Sequence, residues 1–567
     1  MSAPPVGLWR LLLSGCQLLV THQALAQSPP DAGSLLQQQR QAQPQVLPPS
    51  KDQTPRLRQA PESTLTGGRQ VQVQRFELAG NLLLDEPTLQ AALAAYRGRK
   101  LGLGDLQRAA AAVSEAYAQA GWLARVFLPP QDITDGVIIL QIEEARFGAL
   151  RMSGDPARFD IERAKSMIAA QQAPGAALNL TTLDRALLLL GDLPGLRSSG
   201  SLVAGSAPGE TDLLLKLDDG PLLFADVGGD NAGSRSTGAA RLNAGLGLNG
   251  WLGLGDALSA NLSHTEGSDY GRIAGSAPLG FHGWRAGANA SSMRYRLVGA
   301  DFAALQSKGR SNTWALDASY PLLRSRERNL TVQFSVERKS FFNQANGSVS
   351  SDYRSRTVSA GLSGNLFDGV GGGGANAAGL ILNQGELNLA GSPSAAADAA
   401  GPKTQGSFTK LRYGFSRQQM LSRSLSAYLG LAGQHSDRNL DSSEKFYLGG
   451  AQGVRAYPSS EAGGARGRIV NLELRAQFPA DLRGVAFYDW GRVQVNVDNS
   501  FAGAPKINAA TLQGAGLSLA WTGPHNLDLK ATLAQRIGSN PLANPAGLDQ
   551  DGTRKRNRLW LQANLPF

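Results

Sequence analysis

Residues Asn557-Arg558-Leu559-Trp560-Leu561-Gln562-Ala563-Asn564-Leu565-Pro566-Phe567 alternate, with Leu559, Leu561, Ala563, Leu565 and Phe567 on one face and Trp560, Gln562 and Asn564 on the other. A period of two predicts a strand with one oily side. Closing on Phe567, it predicts the final strand of a lipid-embedded barrel, which must pair with the first strand to leave no edge. Half-buried strands of soluble sandwiches alternate too, so the reading turns on whether the rest of the chain repeats the pattern.

It does, from Gly220 onward. Leu242, Ala244, Leu246 and Leu248 alternate with Asn243 and Gly245, and Leu330, Val332, Phe334 and Val336 alternate with Thr331, Gln333, Ser335 and Glu337. In the sets beginning at Val470 and Leu527 the second face carries Asn471, Glu473, Arg475 and Gln477, and Asp528, Lys530 and Arg536. A charged interior excludes a dry sandwich core. Apolar outside and charged inside is what a water-filled barrel in lipid requires. At roughly 9 to 11 residues per tilted strand plus turns, residues 220–567 hold about sixteen strands. Short turns such as Pro278-Leu279-Gly280 and Pro321-Leu322-Leu323 are expected on one side of the membrane and long polar segments on the other. Trp251, Trp284, Trp314, Trp490, Trp521 and Trp560 are expected in interfacial girdles.

The chain has 567 residues, 68 of them Gly and one Cys, and a formal charge of +10. After the amino terminus no run of some 18 apolar residues could form a spanning helix. Residues 1–26 carry Arg10, the apolar runs Leu11-Leu12-Leu13 and Leu18-Leu19-Val20, and Ala24-Leu25-Ala26, which predicts a secretory signal peptide cleaved before Gln27. Cys16, in Leu13-Ser14-Gly15-Cys16, also fits a lipoprotein box, although only three apolar residues separate Arg10 from Ser14. Removal of residues 1–26 leaves no thiol, which excludes a disulfide framework, a thiol nucleophile and a cysteine metal site. An exported chain does not meet nucleic acid, so its positive charge is expected in an aqueous lumen or against lipid head groups.

Residues 27–68 are rich in Gln and Pro and read as linker, with a short polar helix over Asp31–Gln43. A helix this polar is stable only in a wet cavity or transiently. Two α+β units follow, 69–144 and 145–219. The first is read as a strand at Val71–Phe76, helices near Glu86–Tyr96 and Gly104–Gly121, and strands at Ala124–Leu128 and Val137–Glu143. The second has strands at Gly148–Met152, Ser201–Ala204 and Thr211–Leu217, with helices near Ile161–Ala170 and Leu180–Leu190. Neither contains a catalytic-type cluster of His, Cys or acids. Gly371–Gly374 lacks the Gly-Lys-Ser/Thr of a phosphate loop, and His264, His282, His435 and His525 have no ligand-like spacing. No cofactor, metal or catalytic residue is therefore expected, and the chain is not expected to be an enzyme.

The run Glu444–Pro458, EKFYLGGAQGVRAYP, with Phe487-Tyr488-Asp489-Trp490-Gly491, resembles the two hallmark motifs of the Omp85 superfamily, and specifically the two-partner secretion transporters, the TpsB proteins of the haemolysin and filamentous haemagglutinin type. The resemblance spans nearly the whole chain: signal, plug-like helix, two POTRA-like domains, and a barrel (220–567) opening at Asp230-Asn231-Ala232-Gly233-Ser234-Arg235. It implies a mainly β fold, a transmembrane antiparallel barrel preceded by two small α+β domains, in a bacterial outer membrane with those domains in the periplasm.

In that family the tip of a long extracellular loop folds into the lumen, where its arginine meets an aspartate of the barrel wall. Carried over, this implies a loop–barrel lock of Val454, Arg455 and Tyr457 with Phe487, Asp489 and Gly491, in which Arg455 pairs with Asp489. A guanidinium offers a planar fork of donors to a carboxylate, which suits a pair that fixes a loop. The alternative is that both are ordinary lumen charges paired with others. Ala456 stands where the family usually has Gly, and since Ala tolerates positive φ poorly a slightly different loop tip is expected. Phe567 is implied as the signal read by the barrel-assembly machinery. The implied partners are an unfolded secreted TpsA-like protein, periplasmic chaperones, that machinery and outer-membrane lipid. Client capture by β-augmentation at the two α+β domains is the implied mechanism. The alternatives are an assembly factor of the same superfamily and a diffusion porin, which leaves the amino-terminal domains without a purpose.

Overall fold

The computed structural model describes residues 30–41, 70–133, 135–299 and 304–567. The expected signal peptide, Cys16 and most of the 27–68 linker lie outside those residues.

Sixteen strands, from Leu223–Asp230 to Asn557–Pro566, form a closed antiparallel barrel. Closure is made by Asn557–Pro566 on Leu223–Asp230, with Gln562 opposite Asp230 and Pro566 opposite Asp226. Phe567 continues this pairing, its N–H donating to the Ala225 carbonyl at 2.7 Å. Beyond Asp230 the Asn231 side chain takes over as a substitute peptide: its amide donates to Leu559 O at 2.9 Å and accepts from Leu561 N at 2.8 Å. The Asp-Asn that opens the barrel thus extends the short closing seam by a side chain.

The alternating pattern holds around the wall. Trp314, Leu316, Phe334, Val336, Leu472, Leu474, Leu559 and Leu561 stand exposed on the outside, where lipid replaces water as their neighbour. Trp560 is a correction to the expected girdle. It shares the polar face of the last strand, and its indole N–H donates to Arg455 O at 2.8 Å inside the barrel. Pro278–Gly280 and Pro321–Leu323 also differ from expectation. They are largely the ends of strands Ser268–Leu279 and Lys308–Arg324, and the second carries a register shift between Pro321 and Leu323, because proline leaves the ladder without a donor.

The first α+β unit has a sheet in which Arg75–Ala79 runs parallel to Val137–Glu144, itself paired with Ala124–Phe127. Helices Glu86–Ala92 and Leu103–Gln119 cover it, burying Leu89, Leu106, Ala109, Val113 and Tyr117. The expected single strand over Val71–Phe76 is interrupted: Val71–Gln72 pairs with Lys100–Leu101, and the Gln74 N–H turns to the Gly136 carbonyl at 2.7 Å before Arg75 enters the sheet. The second unit repeats the plan, with Arg146–Ser153 parallel to Glu210–Asp219, Leu196–Ala204 on its other side, and helices Ile161–Ala169 and Leu180–Gly191.

The second unit sits against one rim of the barrel. Arg163 donates to Gly280 O at 2.9 Å and Arg185 to Pro321 O at 2.7 Å, while Arg324 holds Asp192 through two bonds of 2.7 Å and Arg326 holds Asp184. These contacts fix which end of every strand faces the amino-terminal domains.

Candidate functional site

The helix Ala32–Gln41 lies inside the barrel. Leu35 and Leu36 are buried against inward-facing Met293, Tyr295, Phe341 and Tyr353, which gives this polar helix the small apolar seat it needs. Its remaining surface is held by polar contacts to one strand of the wall and to a loop folded in beside it. The Ala32 N–H, free at the first turn of the helix, donates to Asn343 Oδ1 at 2.9 Å. Arg40 forms a fork on Glu337, with Nη1 at 3.0 Å. Ser460 Oγ donates to Gln38 at 3.1 Å, and Ser442 Oγ donates to Asp31 at 2.8 Å.

Ser442 and Ser460 belong to the long segment 437–465, which leaves strand Leu425–Ser436, folds back into the lumen and rejoins the wall at Arg466. Phe446–Tyr447 pair with Gly463–Gly464 to form its stem. At its tip Val454, Ala456 and Tyr457 are fully buried. Asp489 on the wall is fully buried too, and it accepts from the Arg455 backbone N–H at 3.0 Å, Nε at 2.9 Å and Nη2 at 2.7 Å. Asn471 Nδ2 adds a fourth donor at 2.7 Å. Charge-assisted forks of this kind fix orientation as well as distance.

The remaining Arg455 nitrogen, Nη1, donates to Glu473 Oε1 at 2.8 Å, and the guanidinium carbon lies 3.5 Å from the centroid of the Phe487 ring. Flat stacking of this kind is open to arginine and closed to lysine. Glu473 is shared with Arg475 at 2.7 Å. Tyr457 lies under the Arg536 guanidinium at 4.3 Å. Gly491 leaves room for the loop: a Cβ there would stand 3.0 Å from Val454 Cγ2 and 3.1 Å from Leu448 Cδ2. All six residues expected in the lock are therefore brought into one cluster. Ala456 takes no positive φ. Its methyl rests over Gly514, where an added Cβ would approach it to 2.5 Å, so the tip accepts alanine because the facing wall is glycine.

The other anchors of the loop were not singled out from the sequence. Glu444, at the loop's inner end, binds Lys339 at 2.7 Å and Lys410 at 2.6 Å, all three nearly fully buried. Lys339 also pairs with Glu337 at 3.0 Å, so the charges Arg40, Glu337, Lys339, Glu444 and Lys410 alternate in an unbroken chain from helix to wall to loop. Asp549, between the last two strands, binds Arg536 and Arg558. Near it Glu461 of the loop accepts from Asn540 at 2.9 Å and from the Gln550 N–H at 2.8 Å. Inward parity of Lys339 and Lys410 was readable from the alternation; their meeting across the lumen was not.

The profile of the haemolysin secretion/activation proteins ShlB/FhaC/HecB matches residues 209–519, and that of the ShlB-type POTRA domain matches residues 71–145. Among curated proteins, a haem/hemopexin transporter protein, HuxB, of Haemophilus influenzae (strain 86-028NP) is 26% identical over 549 residues, covering 92% of this chain and 94% of that protein. The outer membrane transporter CdiB of Dickeya dadantii (strain 3937) is 28% identical over 407 residues, 70% of each. Among solved structures, CdiB from Escherichia coli aligns with a TM-score of 0.69 at 20% identity, covering 95% of this chain and 96% of that one.

Proposed function

This chain belongs to the ShlB/FhaC/HecB family of haemolysin secretion/activation proteins, a two-partner secretion transporter of the outer membrane with its POTRA domains in the periplasm, and from that premise we infer that the seated helix and the locked loop are the two closures of its pore. The observation that carries the inference is the five-charge chain, because it ties the helix Ala32–Gln41 and the loop 437–465 to one patch of wall. Its partner is a secreted exoprotein. That exoprotein crosses unfolded, delivered by periplasmic chaperones and captured at the amino-terminal domains, where an extended strand adds to a sheet edge. The chain does this without catalysis. Phe567, next to Ala225 in the closing seam, is the residue the barrel-assembly machinery reads.

The docking of residues 146–219 on the rim supports a handover of client from domain to pore, since Arg324 and Arg326 hold that unit beside the opening. Cells carrying the chain without residues 70–219 test the reading. Their barrels insert and shift on heated gels as before, and the client accumulates in the periplasm. Continued export into the medium overturns it.

A further inference from the structure

On the outer wall the apolar belt gives way, strand by strand, to arginine. Along Arg328–Ala345 the outward residues run Leu330, Val332, Phe334, Val336 and then Arg338. Along Ser348–Asp368, read towards the same end, they run Leu362, Ala360, Val358 and then Arg356 and Arg354. On Lys308–Arg324, Leu316 and Trp314 precede Arg310; on Trp284–Arg296, Ala288 and Ala290 precede Arg294. All five arginines are exposed. They lie at the end of the strands away from Pro321 and Gly280, where the POTRA unit docks, and so at the extracellular border of the membrane.

The register makes the arrangement costly. Arg294 stands directly opposite Arg310, and Arg338 directly opposite Arg356. Like charges facing each other across a ladder repel. Among the described residues none of the five has an ion pair, and Arg310 lies over the Phe342 ring at 5.3 Å instead. Acids on this face, Asp269 opposite Arg294, Glu386 opposite Arg356 and Asp352 two residues before Arg354, form no ion pair with any of the five. Two arginines directly opposite each other, neither engaged in an ion pair, can both swing onto one anion with several oxygens, and phosphate is the anion that arginine forks fit.

Below the lower pair the surface is apolar. Trp314 lies opposite Arg338, at the level where tryptophans mark a membrane interface, and Leu316, Val336 and Val358 continue towards the midplane. The ligand is therefore charged at one end and oily at the other. The second arginine pair lies four residues further along the strand, above the interface, where a simple phospholipid has no charge left to offer. We propose that this face binds a phosphorylated glycolipid of the outer leaflet: Arg338 and Arg356 hold a phosphate at the acyl boundary, Arg294 and Arg310 hold phosphates on the sugars above, and the acyl chains lie on Trp314, Leu316, Val336 and Val358. A single pair of the same kind, Arg468 opposite Arg492, stands on the far wall, with Arg468 over Trp490 at 5.5 Å. The patch on Trp284–Asp368 differs in having two pairs and a fifth arginine.

The test uses the purified full-length protein in an uncharged detergent, titrated with bisphosphorylated lipid A, with the same lipid stripped of both phosphates, and with phosphatidylglycerol, the adducts being read by native mass spectrometry. Bisphosphorylated lipid A is expected to bind at concentrations at least tenfold lower than either of the others. Arg338→Gln with Arg356→Gln is expected to remove that advantage in a barrel that still shifts on heating. Where that variant fails to fold, Arg338→Lys with Arg356→Lys keeps the charge, loses the fork and binds at an intermediate level. Equal binding of the stripped lipid overturns the phosphate site, equal binding of phosphatidylglycerol overturns the choice of glycolipid, and unchanged binding by a folded variant of either kind overturns the assignment to these arginines.

Discussion

Arg455 gives Asp489 three hydrogen bonds, one of them from its own backbone, so the side-chain pair and the path of the main chain at the loop tip are fixed by the same carboxylate. The two partners do not depend on each other equally. Without Asp489, Arg455 keeps Glu473 at 2.8 Å and the face of Phe487. Without Arg455, the fully buried Asp489 keeps Asn471 and a backbone N–H, and no positive charge. Breaking a buried pair so as to strand one charge costs about 3–5 kcal/mol. Arg455→Ala should therefore lower the thermal unfolding midpoint more than Asp489→Ala, and should raise tryptic nicking at Lys445 at least tenfold. Equal effects of the two substitutions would place the lock elsewhere.

Glu444 is the second anchor of the same loop. Glu444→Gln leaves Lys339 and Lys410 buried with Glu337 as the one acid beside them. A loss of about 3–5 kcal/mol is expected, by the same stranded-charge argument. Replacing the whole cluster, with Lys339→Met, Lys410→Met and Glu444→Leu together, should restore most of that stability, because well-packed apolar groups need no desolvation. If the triple variant is stable but exports poorly, the charges serve release of the loop; if it exports normally, they serve stability alone.

In the second POTRA unit Asp212 fills a bulge. The ladder shifts between Phe147 and Leu150, leaving the Ala149 N–H to donate to Asp212 Oδ1 at 2.7 Å, with Arg151 Nε on Oδ2 at 2.6 Å. The Ala149 N–H, joined by the Arg151 guanidinium, holds this carboxyl below the usual carboxylate range, against a burial that pushes it up. A depressed folded pKa means that the unfolded chain takes up the proton first on acidification. The stabilisation is thus complete above the ordinary Asp value near ~3.9 and is lost as pH falls through the lower folded value. Protection factors of amides 210–219, corrected for intrinsic exchange, should fall below about pH 4, and Asp212→Asn should be less protected at neutral pH and flatter in its pH profile. An unchanged profile in the variant would remove Asp212 as the cause.

What could be read in the sequence was what is written locally. Alternation gave the strands and their two faces, because parity needs only neighbouring residues. Arg455 and Asp489 could be paired because each sits in a motif. Glu444 opens the first of those motifs and still went unread, since its partners lie 105 and 34 residues away and nothing local marks Lys339 or Lys410 as its own. Trp560 is the instructive miss. Parity placed it with Gln562 and Asn564 on the wet face, whereas the expectation of an aromatic girdle placed it in lipid, and the bond to Arg455 O follows parity. In a barrel wall the period of two outweighs residue type, because a one-residue shift would turn every side chain of the strand over.

The helix Ala32–Gln41 approaches the loop at Gly33, where an added Cβ would stand 2.6 Å from Ser442 Oγ and 2.9 Å from the Ser443 N. A side chain at this position cannot be absorbed by a rotamer change alone, because one of the two atoms it meets belongs to the backbone. Either the helix or the inner end of the loop must move, and the Glu444 anchor next to Ser443 resists the second. Gly33→Val should therefore unseat the helix, releasing Leu35 and Leu36 from Phe341 and Tyr353 and Arg40 from Glu337. With the lumen partly cleared, single-channel conductance in planar bilayers is expected to rise severalfold, while the heat-induced shift of the barrel on gels stays as it was, since none of the sixteen strands is touched. Gly33→Ala, with the smallest possible addition, should give frequent brief openings instead of a steady increase. A Gly33→Val channel with unaltered conductance would mean that the pore is closed by the loop, and that the helix only rests on it.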